Sequence, residues 1–543
     1  MKAFQSSLDV QVRGVHLICV LLLGCMLACP SARHLMDDVV YQAMETCESF
    51  SDVPGDILLQ TSQLRLGQAT RTERNQKQVQ DHRDKVAAPT NTTDLAVGPC
   101  YWTVHKTVSL LLCLFVGFVM TVFYLVNYPD EDIQNQAWQL LSRTISIFIA
   151  VLMYKSTKTI LCEALHQSCE NNLSDALSAD FDPHGEVDFG GILTSFGRWI
   201  IFWLLFQVYL FWCSGSGMVA TSKLGGHIVA FSGLDAFTAL QAGKGQFEIL
   251  RANPLNSLCC TMAVGVVLWL ILEGAGLLRR CYASRRRRDQ GAARGVAREW
   301  MKECSAAENE AASLIVGLLL SQTIRHAISG AHPPIHGGDP KGKSSDQVIE
   351  LFVIAIGLGA LVMKLGMILR SLLSSPRHKK GIGRMIRVIV DTVSMAMAWS
   401  LLYWGEWFIY NRTNDRGVGE GDRMTILLVV AGVLSAFAFA TIFVIVYASR
   451  HSFFEDSVDG LNALSVAIGL VVGCAWEDVF IEAIGGVREM KLLDLKASYS
   501  TLVFICFLCA VTLPGWMLYI LPRGELVHDS HNKRAGVVIG ESE

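Results

Sequence analysis

Long apolar runs constrain this chain more than any other feature of its sequence. From residue 107 onward, runs of about 20 apolar residues alternate with short polar loops, and a helix of about that length crosses the ~30 Å hydrocarbon core of a bilayer. Only 17% of the 543 residues are charged and 51% are hydrophobic, whereas roughly 25% are charged in soluble proteins. The sequence therefore predicts an all-α, polytopic bundle of transmembrane helices.

We expect about eleven spans, of which the fourth is the least certain. That segment contains His227, Asp235 and several glycines, so hydropathy alone favours a loop or a re-entrant segment. Counting it as a crossing places the basic loops 279–302 and 377–384 on the cytoplasmic side, in agreement with the positive-inside rule. The predicted spans are 107–127, 137–160, 192–213, 224–241, 258–278, 311–329, 348–369, 388–410, 424–447, 461–484 and 498–521.

The regions outside the spans predict where the protein resides. Residues 1–30 resemble a signal peptide, or an uncleaved signal anchor, because a basic start precedes an apolar run. Residues 31–106 are polar and too poor in apolar residues for a large core, which indicates a partly disordered luminal or extracellular segment. Residues 107–521 form the transmembrane domain and 522–543 a cytoplasmic tail. We expect a multi-pass protein of the secretory pathway or plasma membrane.

Two kinds of residue provide a check on this topology that is independent of charge. Glycosylation acceptors and disulfides matter only on the luminal side, and the eleven-span arrangement places all the candidates there. The Asn-x-Ser/Thr acceptors are Asn91, Asn172 and Asn411, and the cysteine pairs are Cys47 with Cys100 and Cys162 with Cys169.

Five of the predicted spans share a spaced pattern of polar residues. A polar residue is followed three positions later by a hydroxyl and, in four of the five, by a charge twelve positions after the hydroxyl. The pattern predicts five tandem two-helix hairpins plus a closing helix; the alternative is chance resemblance among hydrophobic helices. The polar positions are Arg143, Asp235, Glu310, Asp391 and Asn462; the hydroxyls are Ser146, Thr238, Ser313, Ser394 and Ser465; the late charges are Lys158, Arg325, Glu406 and Glu477.

On a helix these positions fall within a sector of about 120°, forming a polar stripe about 22 Å long. An ionisable group exposed to hydrocarbon costs several kcal/mol, so the stripes should face each other or water. Two readings follow for the four late charges: they neutralise each other as buried ion pairs that set helix register, or they line a water-filled path.

Signals for metal binding are weak. Asp180, Asp182 and Asp188 have spacings that resemble a calcium loop, but Gly191 stands where a bidentate Glu is needed. His332 and His336 lie in a proline-containing loop that offers no helix to fix them as ligands. We predict no cofactor.

Catalytic and nucleotide-binding motifs are absent from the sequence, so an enzyme is the less favoured class. The net charge of −3 argues against nucleic-acid binding. The expected partner is the lipid bilayer, with anionic lipid a candidate at the Arg285 to Arg288 run; the oligomeric state is left open.

These features favour an integral membrane transporter or channel for a small polar solute or ion, with the polar stripes lining its path. The alternative is a non-conducting membrane scaffold or receptor that acts through its luminal segment and basic loops.

Overall fold

The computed structural model divides the chain into two compact units, residues 16–103 and the remainder, and the residues described all belong to the second. Within them every regular element is helical and no strand occurs. The described residues are 115–164, 189–213, 216–243, 249, 252–286, 293–333, 342–374, 382–414, 423–450, 457–489 and 497–524.

Several predictions concern residues or side chains outside these ranges. The residues are the signal segment, the polar segment 31–106, the tail beyond residue 524, Asn91, Asn172, Cys47, Cys100, Cys169, Asp180, Asp182, Asp188, His336, Arg287 and Arg288. Cys162 and the first two arginines of the Arg285 to Arg288 run lie within described helices, but their side chains are not described.

The described part contains eleven helices. α1 is the short helix Phe115–Val126. The others are α2 Glu131–Ala164, α3 Phe189–Trp212, α4 Ser216–Gln241, α5 Pro254–Arg286, α6 Ala293–Ser329, α7 Ser345–Ser374, α8 Ile382–Asn414, α9 Arg423–Arg450, α10 Val458–Glu489 and α11 Ala497–Gly515, which continues through the π-helical turn Trp516–Ile520.

Among the described residues, nine helices are long and apolar enough to cross a membrane. They are α2, α3 and α5 to α11. This agrees with the predicted class, an all-helical protein embedded in a membrane. α4 is not among the nine, although its 26 residues extend over about 39 Å.

Five helices pack in a closed cycle, which we call the inner ring. α2 contacts α4, α4 contacts α6, α6 contacts α8, α8 contacts α10, and α10 returns to α2. The outer helices α3, α5, α7, α9 and α11 pack mainly against α4, α6, α8, α10 and α2, respectively. In the most apolar window of α2, α6, α8 and α10, 61–72% of residues are buried, against 17–44% in the five outer helices.

Cross-helix contacts show that neighbouring ring helices run in the same direction. Between α6 and α8, the Ser313 hydroxyl donates to the Val388 carbonyl at 3.3 Å and the Ser321 and Ser400 hydroxyls lie 3.2 Å apart. Residue numbers increase together in the same way between α4 and α6 and between α2 and α10. The same order holds between α2 and α4, where Arg143 interacts with His227 and Lys158 with Asp235. It also holds between α8 and α10, where Asp391 interacts with Asp459 and Tyr403 with Asp478. All five ring helices are therefore parallel.

Small residues explain how α4 forms a buried helix despite its modest hydropathy. A Cβ added at Gly233 would clash with Ile315 Cδ1, and one at Gly226 would lie 3.0 Å from Ala307 Cβ. Side chains at these positions would hold α4 away from α6, so the glycines that weaken the hydropathy of this segment are also what lets it enter the ring.

Candidate functional site

Ionisable side chains of the inner ring gather at two levels. We call the group near the beginnings of the ring helices the N-side layer and the group nearer their ends the C-side layer. On α2 the two layers are separated by the eleven residues from Arg143 to Tyr154, a rise of about 16 Å.

Two lysines of α2 dominate the C-side layer, each bonded to a different ring neighbour. Lys158 Nζ lies 2.6 Å from Asp235 Oδ2 on α4, and the Tyr154 hydroxyl donates to the same carboxylate oxygen. Lys155 Nζ lies 2.5 Å from Glu477 Oε1 on α10. Because Lys155 and Lys158 are three residues apart, they lie on one face of the helix. α2 is thereby joined through charge to both of its ring neighbours.

Aromatic and acidic groups extend this layer to the other two ring helices. Arg325 of α6 is fully buried, and its guanidinium carbon lies 3.5 Å from the centre of the Tyr403 ring on α8. Tyr403 also interacts electrostatically with Glu406 and Asp478. A cation over an aromatic face in a desolvated position contributes about 2 kcal/mol. The C-side layer therefore contains charged groups from all five ring helices.

The N-side layer brings opposite charges across the ring. Asp391 of α8 interacts electrostatically with Glu310, Arg387, Arg143 and Asp459. Arg143 belongs to α2, which is not a ring neighbour of α8, so this layer includes an electrostatic interaction between helices that are not adjacent in the ring.

Histidine joins the same layer from α4. His227 Nε2 lies 4.0 Å from Glu310 Oε1, and the His227 side chain is only 3% exposed. It also interacts electrostatically with Lys223 and Arg143. The layer therefore combines carboxylates, guanidinium groups and an imidazole, all groups that bind or exchange ions and protons.

Between the layers every ring helix has residues with no exposed surface. They are Ile149 and Ala150 of α2, Ala230 of α4, Leu314 of α6, Ala396 of α8 and Ala467 of α10. The ring helices are therefore closely packed over this stretch, which we call the dry zone.

The structure gives two of the four predicted late charges, Lys158 and Glu477, partners that the pattern did not indicate. Lys158 pairs with Asp235 rather than with Glu406 or Glu477, and Glu477 pairs with Lys155. Pattern reasoning overlooked Lys155, Tyr154 and Tyr403. The available signal was a second lysine one turn from Lys158 in an apolar helix, since such a charge requires a partner.

Residues that the sequence pattern treats as equivalent do not all lie at the same height along the ring helices. The pattern equates Asp235 with Arg143, yet Asp235 contacts Tyr154 and Lys158, further along α2. His227 occupies the level of Arg143 instead. The alignment is therefore displaced at α4 by about two to three helical turns.

Three of the five patterned hydroxyls bond within their own helix, and two bond to a neighbouring ring helix. Ser146, Thr238 and Ser394 donate to carbonyl oxygens of their own helices. Ser313 reaches Val388, and Ser465 donates to Gln136 Oε1 of α2 at 3.1 Å. Asn462 is exposed on the protein surface.

A separate ion pair joins the ring to an outer helix. Arg279 of α5 bonds both oxygens of Glu308 on α6 at 2.5 Å, and Gln207 of α3 donates to Glu308 at 2.8 Å. The Arg279 and Glu308 side chains are 8% and 2% exposed. The Glu308 carboxylate thus accepts three hydrogen bonds, from side chains of two outer helices.

The remaining candidates do not form a metal centre in the described part. No group of three or more His, Cys, Asp or Glu residues there is arranged to hold a metal ion. The His332 ring lies 5.5 Å from the His326 ring. The Asn411 amide, a predicted glycosylation site, donates to the Lys343 carbonyl at 2.9 Å.

The chain matches no protein-family model, no curated protein and no solved structure.

Proposed function

We propose that the inner ring is the path of a transporter or channel for a small polar solute or ion. The observation that carries the proposal is that all five ring helices contribute ionisable side chains to one C-side layer. A membrane protein whose only task is to hold its helices together gains little from so many charges, because each one is costly to desolvate.

The two charged layers and the dry zone between them support a gated path rather than a permanent pore. A solute would enter one layer, and the ring helices would then separate to give access to the other. The pairs Lys158–Asp235 and Lys155–Glu477 are suited to such a gate. The lysine side chains are 20% and 37% exposed, so neither one is fully enclosed by protein packing.

The same proposal includes the finer topology. Packing of α3 on α4, α5 on α6, α7 on α8 and α9 on α10 supports tandem hairpins, with α4 as a crossing. If the ring helices run from cytoplasm to lumen, the N-side layer is cytoplasmic. The N-terminal segment would then be luminal or extracellular and the C-terminus cytoplasmic, as the basic loops favour.

Flux through purified, reconstituted protein tests the proposal. We would measure three probes in proteoliposomes: K⁺ with a voltage-sensitive dye, H⁺ with an entrapped pH dye, and small neutral solutes by light scattering. At least one probe should move faster than in protein-free vesicles. Glu477→Gln should lower that flux at least about tenfold, which corresponds to 1.4 kcal/mol in the barrier.

The matched control is Glu350→Gln, which removes one carboxylate charge from an exposed position on the outer helix α7. It should leave flux unchanged. If well-folded wild-type protein moves none of the probes, or if both variants lose flux equally, the ring is not a path.

A non-conducting scaffold or receptor is the second candidate. The dry zone favours it, since residues with no exposed surface close the ring in this conformation. Absence of flux together with unchanged folding in Glu477→Gln would support this class.

A further inference from the structure

Two arginines from different helices converge on one glycine at the surface of the bundle. The helices are α5 and α8, which both pack against α6. A Cβ added at Gly276 of α5 would lie 3.8 Å from Arg280 Nη2 and 3.9 Å from Arg384 Nη1 of α8. Apart from the chain neighbours of Gly276, no other side chain of the described residues comes within 4 Å of that position. We call the space bordered by Gly276, Arg280 and Arg384 the Gly276 groove.

The two guanidinium groups are close enough to share one anion. Arg280 Nη2 and Arg384 Nη1 are less than about 8 Å apart, since both lie within 4 Å of the same point. A phosphate group accepts N–H bonds at about 2.8 Å and therefore bridges two donors up to about 8 Å apart. The planar fork of a guanidinium group also matches the geometry of phosphate oxygens.

The charges at the groove leave a positive excess. Arg384 Nη1 donates to Glu273 Oε1 at 2.9 Å, and Arg384 Nε and Nη2 donate to Asn309 Oδ1 of α6 at 3.2 and 2.9 Å. Glu273 therefore offsets the charge of Arg384. Arg280 is exposed, and no hydrogen bond or ion pair joins it to the part of the chain that the structure describes. Two arginines and one carboxylate leave a net charge that an anion would neutralise.

The Glu273 carboxylate and Arg280 belong to opposite ends of the groove. Glu273 lies three residues before Gly276 and Arg280 four residues after it, so they are on one face of α5, a turn to either side of the glycine. Arg384 uses three of its five N–H groups for Glu273 and Asn309, which leaves two. An anion that enters at the Arg280 end therefore meets two cations and stays about one helical turn from Glu273.

The arginines lie at the ends of apolar helical segments. Arg280 is two residues before the end of the segment Pro254–Tyr282, and Arg384 begins the segment Arg384–Arg412. In a membrane-embedded protein, the ends of such segments reach the depth of the lipid headgroups. The groove is therefore at the level where a phospholipid carries its phosphate.

An exposed apolar face continues from the groove along α5. Val266 and Leu270 are each 57% exposed, and they precede Glu273 by seven and three residues on the same helix face. This face is suited to an acyl chain, and the arginines are suited to the headgroup of the same molecule.

We propose that the Gly276 groove binds an anionic phospholipid, with its phosphate between Arg280 and Arg384 and an acyl chain along Val266 and Leu270. Charge complementarity supports this occupant, since basic pockets between membrane helices bind anionic headgroups. A zwitterionic lipid is disfavoured because its ammonium group restores the positive excess. The site is separate from the Arg285 to Arg288 run, and its binding does not rest on the proposed transport function.

Thermal unfolding of the purified full-length protein in a non-ionic detergent tests the site. Melting temperatures are compared after addition of phosphatidylglycerol, phosphatidylcholine with the same acyl chains, or inorganic phosphate at constant ionic strength. Because a ligand that binds only the folded state stabilises it, phosphatidylglycerol should raise the melting temperature by at least about 2 °C over phosphatidylcholine, with a saturable dependence. Equal melting temperatures in the two lipids would overturn the proposal. A full shift with inorganic phosphate alone would show a free-anion site and refute the lipid assignment.

Arg280→Gln removes one of the two phosphate donors and should abolish the difference between the lipids. Folding should be unaffected, because this side chain is exposed. Arg298→Gln is the matched control, since it removes the same charge from an exposed position on α6 and should retain the full shift. An equal loss in both variants would show non-specific attraction to a basic surface and contradict the assignment.

Filling the groove tests the same site without changing its charge. Gly276→Leu places a side chain between the two guanidinium groups and should also abolish the lipid shift. Gly274→Leu is the control, because a Cβ added at Gly274 meets nothing within 4 Å among the described residues. It should respond to phosphatidylglycerol as the wild type does. A full shift in Gly276→Leu would mean that the lipid binds elsewhere.

Discussion

The Arg279–Glu308 pair and the α2 lysine pairs place charge inside the helical bundle in two different ways. Arg279 and Glu308 share two hydrogen bonds and are almost fully buried. Lys155 and Lys158 each reach one carboxylate, and they retain 37% and 20% exposure. A fully buried, bidentate pair cannot exchange partners without leaving a desolvated charge, whereas a partly exposed, single contact is less constrained. The Arg279–Glu308 pair therefore suits a contact that stays fixed, and the lysine pairs suit contacts that change when helices move.

The largest effect on stability should come from breaking the buried Arg279–Glu308 pair. Glu308→Ala leaves Arg279 charged and without this partner inside the protein, and removal of one member of a buried pair costs about 3–5 kcal/mol. We expect loss of the monodisperse, folded fraction in detergent, measured by size-exclusion chromatography and thermal melting. The double variant Glu308→Ala with Arg279→Met should recover part of the stability. No recovery would mean that packing, not charge, explains the loss.

The contact between the outer helix α7 and the ring helix α10 is one of close packing alone. Disrupting it should have an intermediate effect on stability. A Cβ at Gly366 of α7 would lie 2.6 Å from the Gly460 nitrogen of α10, while one at Gly357 of α7 meets nothing within 4 Å. Gly366→Ala should therefore cost about 1–3 kcal/mol through overpacking. Gly357→Ala should be neutral or stabilising, because alanine favours helix. Equal melting temperatures would show that α7 shifts freely against the ring.

Removing Lys158 from its pair with Asp235 should reduce stability less than breaking the Arg279–Glu308 pair. Lys158→Met deletes one charge-assisted contact to Asp235, but the Tyr154 hydroxyl still donates to that carboxylate. We expect a loss of about 1–2 kcal/mol, with a folded protein that can be tested for flux. A loss as large as that of Glu308→Ala would remove the distinction between the two kinds of pair.

The smallest effect belongs to an exposed pair just before α2. The hydrogen bond from Arg450 lowers the pKa of Asp130 below its ordinary value. A lowered carboxyl pKa gives stability that is present above the unfolded-state value and lost as pH falls through the folded-state value. Asp130→Asn should therefore lower the melting temperature only slightly at neutral pH, with the difference vanishing in acid. A difference that grows toward low pH would contradict this assignment.

The sequence predicted the class of fold well and the contacts of individual charges poorly. Runs of about 20 apolar residues identify membrane helices locally, because helix length and hydrocarbon thickness are matched by geometry alone. The fourth segment was doubtful because its glycines lower hydropathy, and only the close approach of Gly233 to Ile315 shows what they are for.

The choice of Asp235 as the partner of Lys158 could not be read from spacing, since one helical turn more or less brings a different residue to the contact.

By itself, then, the sequence determined that the chain forms long helices suited to lipid and that several of them carry polar groups needing a partner. The tertiary structure decided which helices form the inner ring and which charges meet there. The physical reason is range: hydrophobicity and helix formation depend on neighbours within a few turns, whereas an ion pair depends on the register of two helices that lie many residues apart in the chain.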